Sequence, residues 1–414
     1  MKNKIIENIN NPETLEQLYQ QNKQDFSKSF AEISEDYNFD LVKFWKIRLA
    51  HETDIKAQEF SKLDLLIVLL LSLVTGLLAK LPAILSQINT EFFYTRDLAI
   101  IVFNGIILYT LWQNKIFNLK RLLTYGLVVL ILIFFLNLLP NTGSDSVMLS
   151  MIHAPLLLWC LFGLSFISFD YKNMAKRIAF IRFNGELLIM TGLFLIAGSM
   201  LTGITIGLFS AINMDVERFY MENIAIIGGV AAPIISFYLI RLYPTITNKI
   251  APVIARVFTP LVLITLAVYL VSIIFSQSNI FEDRNLLLLF NVMLIAVMAL
   301  IVFSISELDK SKKKNINVLV LFLLASLAII INSIALIAII LRATEGLTPN
   351  RTVVLISNIL IFVNLILIAR NLYKSYFNPN QLNTVEQTVA KYLTIYAGYT
   401  IIVIFILPFL FGLK

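Results

Sequence analysis

The feature that most constrains this chain is a series of near-continuous apolar runs. Each is about the twenty residues that a helix needs to cross the hydrocarbon core of a bilayer. Eleven are predicted, at 64–86, 97–113, 121–139, 147–169, 186–212, 222–242, 254–277, 286–305, 317–341, 351–370 and 392–412. They are not the ten-residue alternating segments of an outer-membrane barrel. A backbone in lipid must satisfy its own hydrogen bonds. The expected fold is therefore all-α, a polytopic transmembrane helix bundle. Composition agrees: 58% of the 414 residues are hydrophobic and 14% charged, against roughly a quarter charged in soluble domains. The second run is the weakest, being short and interrupted by Asn104. Without it ten spans remain and every later segment changes side.

The connecting segments test the count. Of the 33 lysines and arginines, 26 fall on the side that holds the N-terminus, nine of them before residue 63. The others on that side include Arg121, Lys172, Lys176, Arg177, Arg182, Arg241, Lys249, Arg256, Lys310, Lys312, Lys313, Lys314 and Lys374. The opposite side holds seven: Lys80, Arg96, Arg218, Arg284, Arg342, Arg351 and Lys414. The connection 140-PNTGSDS-146 has none. Positive charge marks the cytoplasmic face, so the N-terminus is expected inside and the C-terminus outside. The net charge of +7 is thus a membrane-sidedness signal, and no nucleic-acid partner is expected.

Residues 1–62 form a short helical cytoplasmic segment in this reading, and 63–414 the multi-span domain. Asn11-Pro12-Glu13 has the chemistry of a helix start. Leu15, Leu18, Tyr19, Phe26, Phe30 and Ile33 follow at roughly helical spacing. The segment 41-LVKFWKIRLA-50 suits either a membrane-surface helix or a helical hairpin packed on the cytoplasmic loops. Sixty residues give little core for an independent catalytic domain. No cleavable signal peptide is expected, because this hydrophilic stretch comes before any apolar run.

Catalytic signatures are absent. The chain has no Walker loop, dinucleotide fingerprint, HExxH or GxSxG. A single cysteine, Cys160, and two histidines, His51 and His153, leave little for a metal site. No cofactor or metal is expected, and an enzyme less than a permease.

The candidate binding residues lie within the spans. In the fifth, Ser199, Gly203, Gly207 and Ala211 recur every fourth residue, with Gly185 and Gly192 on the same face. This pattern suits a tight helix seam in lipid or the thin wall of a substrate path. Gly228, Gly229 and Pro233 cluster in the sixth span, either as a simple kink or as a broken helix of the kind that holds transporter substrates. Pro155, Pro260 and Pro408 mark further kinks. His153 is a proton-relay candidate or a neutral ring bonded to a freed carbonyl. Asp97, Glu186 and Glu222 stand at predicted span starts, where carboxylates favour the helix dipole. Glu186 also joins Arg182 and Asn184 in 182-RFNGE-186. Asn104, Asn291, Asn332, Asn358 and Asn364 are expected to bond between helices.

The stretches 182-RFNGELLIMTGLFLIAGSMLTGITIGLFSAI-212, 251-APVIARVFTPLVL-263, 348-TPNR-351, 77-LLAKLPAI-84 and 152-IHAP-155 resemble bacterial polytopic membrane proteins catalogued as domain of unknown function family 4153. The resemblance covers most of the chain. It implies a multi-span bacterial inner-membrane protein, and carries over no catalytic residues. Three functions fit the residues. The first is a permease or translocation protein for a small or lipid-like solute, driven by an ion gradient. The second is a membrane scaffold or sensor acting through partners. The third is an intramembrane lipid-modifying enzyme. The lipid bilayer is the one partner expected in all three; oligomeric state is left open.

Overall fold

The computed structural model describes residues 1–21, 23–34, 37, 39–56, 62–85, 87–141, 143–211, 214–275, 284–308, 316–378 and 381–413. The basic cluster Lys310, Lys312, Lys313, Lys314 and the C-terminal Lys414 lie outside them. No strand occurs among the described residues. The chain divides into two compact units, Met1–Leu65 and Leu66–Lys414.

The first unit contains helices α1 (Lys2–Glu7), α2 (Pro12–Gln21), α3 (Lys23–Ile33) and α4 (Asp40–Lys56). The expected start of α2 is realised, with the Thr14 N–H donating to Asn11 Oδ1 at 3.2 Å. Leu15, Leu18, Tyr19, Phe26, Phe30 and Ile33 all join one apolar core with Ile5, Val42, Trp45 and Leu49. Trp45 turns into this core, its ring 5.0 Å from Phe26 and 5.4 Å from Tyr19. Arg48 closes the cluster, stacking over Trp45 at 4.7 Å and pairing with Glu16 at 2.6 Å. The aromatic and basic residues of α4 therefore split: Trp45 and Arg48 serve the unit's interior, while Lys43, Phe44, Lys46 and Ile47 face out.

The second unit follows as α5 (Lys62–Ala79), the short α6 (Leu81–Ile84), α7 (Thr90–Gln113), α8 (Leu119–Leu138), α9 (Asp145–Phe166) and α10 (Met174–Ala211). Then come the single turn α11 (Glu217–Tyr220), a π-helical turn over Met221–Ala225, and α12 (Ile226–Leu242). The chain ends with α13 (Pro244–Phe275), α14 (Arg284–Ser306), α15 (Ile316–Ala343), α16 (Pro349–Phe377), α17 (Leu382–Phe405) and the turn α18 (Leu407–Leu410), which Pro408 opens. Among the described residues, eight helices are long and apolar enough to cross a membrane by length and composition; 63–79, 252–268 and 290–306 are shorter apolar helical stretches. Each predicted span overlaps one of these eight longer or three shorter stretches, although several, among them 64–86 and 254–277, run past the stretches they meet, and the weakest, 97–113, lies within α7.

Local sequence explains where the helices begin. Asn89 accepts from the Phe92 N–H, Asn118 from Lys120 and Arg121, Ser144 from Val147, and Thr348 from Arg351. These side chains satisfy N–H groups that a first helical turn leaves orphaned, and Pro349 sits where a missing N–H does no harm.

Packing is uneven. Ala325, Ala328, Ala335 and Ala338 are buried along α15, small enough to let α16 approach closely. They share a core with Ile301, Ile305 and Ile368. A second core gathers Tyr109, Phe162, Phe180, Phe183 and Phe237 from α7, α9, α10 and α12. The glycines at close helix approaches are Gly76 against Ile227, Gly105 against Ile234 and Thr75, Gly163 against Phe180, and Gly185 against Phe303.

This corrects the expected seam. Gly192, Gly203 and Gly207 have open space where a side chain would be, and the C-terminal half of α10 is largely exposed. Ser199, Gly203 and Gly207 of the stripe form no tight seam among the described residues, and the Ala211 side chain lies outside them. A second correction concerns the acidic residues. Asp97 and Glu186 lie inside α7 and α10, so neither caps a helix start. Asp97 accepts from Asn137 at 2.9 Å, and Glu222 pairs with Arg218 at 2.9 Å within the π-helical turn. The sequence places a span start at residue 186 because hydropathy rises there, whereas the backbone is already helical from residue 174.

Candidate functional site

The 38 residues of α10 extend about 57 Å at 1.5 Å per residue, well beyond a hydrocarbon core of about 30 Å. Its first four turns therefore carry polar groups at and before the start of the apolar run. Arg182 and Glu186 stand there one turn apart, on one helix face. Gly185 lets the Phe303 ring of α14 lie directly on the α10 backbone. Four residues beyond that ring is Glu307, and Arg182 Nε donates to its Oε1 at 3.0 Å. The same guanidinium donates to the Ser306 carbonyl, so it also caps the end of α14.

Two further arginines complete the group. Arg241 in the last turn of α12 is within electrostatic reach of Glu186 and Tyr109, and lies beside the Phe166 and Phe237 rings. Arg256 of α13 is within reach of Glu307. Glu186 interacts with Glu307 of like charge and with Arg182 and Arg241 of opposite charge. Its residue is 7% exposed, and the Glu307 side chain 6%. Burial pushes the Glu307 carboxyl above the ordinary carboxylate range, against the opposing pull of Arg182 and Arg256.

A cleft opens beside this cluster. It holds about 370 Å³ including the space at its mouth, and its wall includes Arg256, Thr259, Pro260, Ser304, Glu307 and Asn317. Thr259 Oγ1 donates to the Ala255 carbonyl at 2.6 Å and lies 2.8 Å from Ser304 Oγ. With its proton committed to Ala255, Thr259 is the acceptor in that pair.

Of the residues singled out from sequence, Glu186, with Arg182 and Gly185 of the same motif, and Pro260 come to this neighbourhood, linked through Glu307. The others do not. His153, 8% exposed, is held in α9 by an Nδ1–H bond to the Leu149 carbonyl at 2.8 Å and faces the Tyr399 ring. That carbonyl is not the one freed by Pro155, which belongs to Met151, four residues before the proline. Gly203 and Gly207 lie on the open half of α10. Gly228 and Gly229 also meet open space, and Pro233 sits inside a continuous helix. The backbone irregularity in this region is the π-helical turn at Met221–Ala225, before the predicted break.

The buried amides do bond between helices. Asn104 accepts from the Tyr125 hydroxyl, Asn332 donates to the Asn358 carbonyl at 3.1 Å, Asn358 to Asn291 at 2.8 Å and Asn364 to Tyr396 at 3.1 Å.

Sequence reasoning missed Glu307, Arg241 and Arg256 as members of one group. A signal existed for Glu307: it is an acidic residue directly after an apolar run, on the side where basic residues dominate. Among the described residues, no group of three or more potential metal ligands occurs. No family model matches the chain, and comparison with curated proteins and with solved structures likewise finds no match.

Proposed function

We propose that this chain is a multi-pass permease or translocation protein for a small or lipid-like solute, energised by an ion gradient. The reading includes eleven crossings, a cytoplasmic N-terminus, residence in a bacterial inner membrane and kinship with the family it resembles. One observation carries it. A largely apolar helical body gathers, among its described residues, two buried carboxylates and three arginines beside an open cleft. Intramembrane and near-membrane ionisable groups are costly to bury and mark solute or proton paths. Their placement where α10, α12 and the end of α14 meet lets one change of protonation act on all of them. No phosphate-binding nucleotide loop is present in the sequence, so an ion gradient is the fitting energy source.

Flux in proteoliposomes tests the reading. Candidate solutes and candidate anionic lipids are screened under an imposed pH gradient. The gradient should drive uptake or lipid transfer. Glu307→Gln and Glu186→Gln should each lower it at least tenfold, while His153→Ala should leave it intact. Equal flux in all three variants and the parent would remove the cluster from the mechanism.

The separately cored unit Met1–Leu65 favours a second reading, a scaffold or sensor. Deleting residues 1–56 discriminates: a permease keeps most of its flux, whereas a scaffold loses its partners.

A further inference from the structure

We propose that the cleft lined by α13, α14 and α15 binds an oxyanion, the phosphate or carboxylate end of a solute, and that Arg256 receives it. The inference rests on the permease reading and deepens it by naming the ligand chemistry.

Donor accounting selects the residue. A guanidinium offers five N–H donors. Arg182 spends its Nε and one terminal nitrogen on Glu307 and Ser306, Arg241 lies against two aromatic rings, and neither is part of the cleft wall. The Thr259 hydroxyl is committed to Ala255, and that of Ser304 to Thr259. Among the described residues, Arg256 has no hydrogen-bond or ion-pair partner, although it lines the cleft and is exposed. Glu307 is near it, but that carboxylate already holds Arg182.

Charge accounting selects the ligand. Among the described residues of this group, three arginines face two carboxylates, which leaves one positive charge unmatched when both carboxylates are ionised. A bound monoanion brings the group to neutrality. The planar fork of arginine fits two oxygens of a phosphate or carboxylate at once. The first turn of α15 contributes Asn317 to the same wall, so the positive end of a 28-residue helix adds to the field. Pro252, Pro260, Leu308 and Leu321 form apolar walls. Those walls suit hydrocarbon attached to the anion.

The full chain, purified in uncharged detergent, tests this by equilibrium binding. The probes are inorganic phosphate, followed by dialysis, and phosphatidylglycerol, followed by native mass spectrometry. The parent should bind at least one of them. Arg256→Gln should weaken that binding at least tenfold, Arg256→Lys less, and Arg218→Gln, a cation outside the cleft, not at all. Phosphate binding alone assigns a soluble solute, lipid binding alone a headgroup, and displacement of lipid by phosphate a shared site. Equal binding by the parent and both Arg256 variants, or no binding by the parent, overturns the proposal. Flux that persists after such a failure leaves the permease reading standing. Arg256-dependent binding without flux of any solute keeps the site and removes the permease.

Discussion

Arg96 and Arg256 sit in two regions that handle a positive charge in opposite ways. Arg96 lies inside α7 and is 2% exposed. Its guanidinium donates to the carbonyls of Leu136 at 2.8 Å, Leu139 at 3.0 Å and Pro140 at 3.4 Å, and stacks on Phe92 at 3.7 Å. It closes the end of α8, where carbonyls have no intrahelical partner. Arg256 stands at the mouth of a cleft with its donors unspent. The first is a cation used up by the fold; the second is a cation the fold leaves for a ligand. A charge near the membrane is thus a functional candidate only after its hydrogen bonds have been counted.

The sharpest way to break this comparison is to remove each cation in turn. Arg96→Leu strands three carbonyls, and we expect a loss of about 3 kcal/mol in thermal or denaturant unfolding in detergent, given the worth of charged hydrogen bonds. Arg256→Gln should change stability by less than about 0.5 kcal/mol, as exposed substitutions do. Equal losses would show that Arg256 is structural too.

Next in size is the contrast between two glycines of α10. Gly185→Ala drives a methyl group into the Phe303 ring, and overpacking of this kind costs about 1–3 kcal/mol. The same change separates α10 from α14 and lengthens the Arg182–Glu307 contact. Gly203→Ala enters open space, and alanine is the better helix former by about 1 kcal/mol. Its melting temperature should therefore hold or rise. A large loss at Gly203 instead would mean that this face is covered in the membrane by a second chain or a tightly held lipid.

The smallest effect concerns pH. Burial raises the Glu307 carboxyl above its ordinary 4.5. The folded protein then keeps a proton that the unfolded chain has released. That contribution is complete below pH 4.5 and is lost as pH climbs through the folded value. Melting temperature of the parent should accordingly fall with rising pH across this window more than that of Glu307→Gln. Identical pH profiles would show that Glu307 is no more buried electrically than a surface carboxylate.

Much of the fold was legible because its causes are local. Runs of apolar residues force helices in a medium without water, and Asn11-Pro12-Glu13 announces the start of α2 through its own side chain. The core of the first unit was equally readable from the spacing of Leu15, Tyr19, Phe26 and Phe30. The paired asparagines were expected, because an amide inside an apolar span has few other outlets. Boundaries were less legible. Hydropathy marks where lipid-compatible sequence begins, not where hydrogen bonding does, so Asp97 and Glu186 were read as caps although α7 and α10 start well before them.

The residues by themselves determined that the chain is helical, apolar and sorted by charge, since those properties depend on short-range hydrogen bonding and on solvent preference. Only the tertiary structure decided which polar groups meet. It turned the glycine stripe of α10 outward and gave the close approach to Gly185. It also drew Arg182, Glu186, Arg241, Arg256 and Glu307 together from four helices. Helix packing fixes such meetings through the shapes of side chains far apart in sequence, and no periodicity along one helix encodes them.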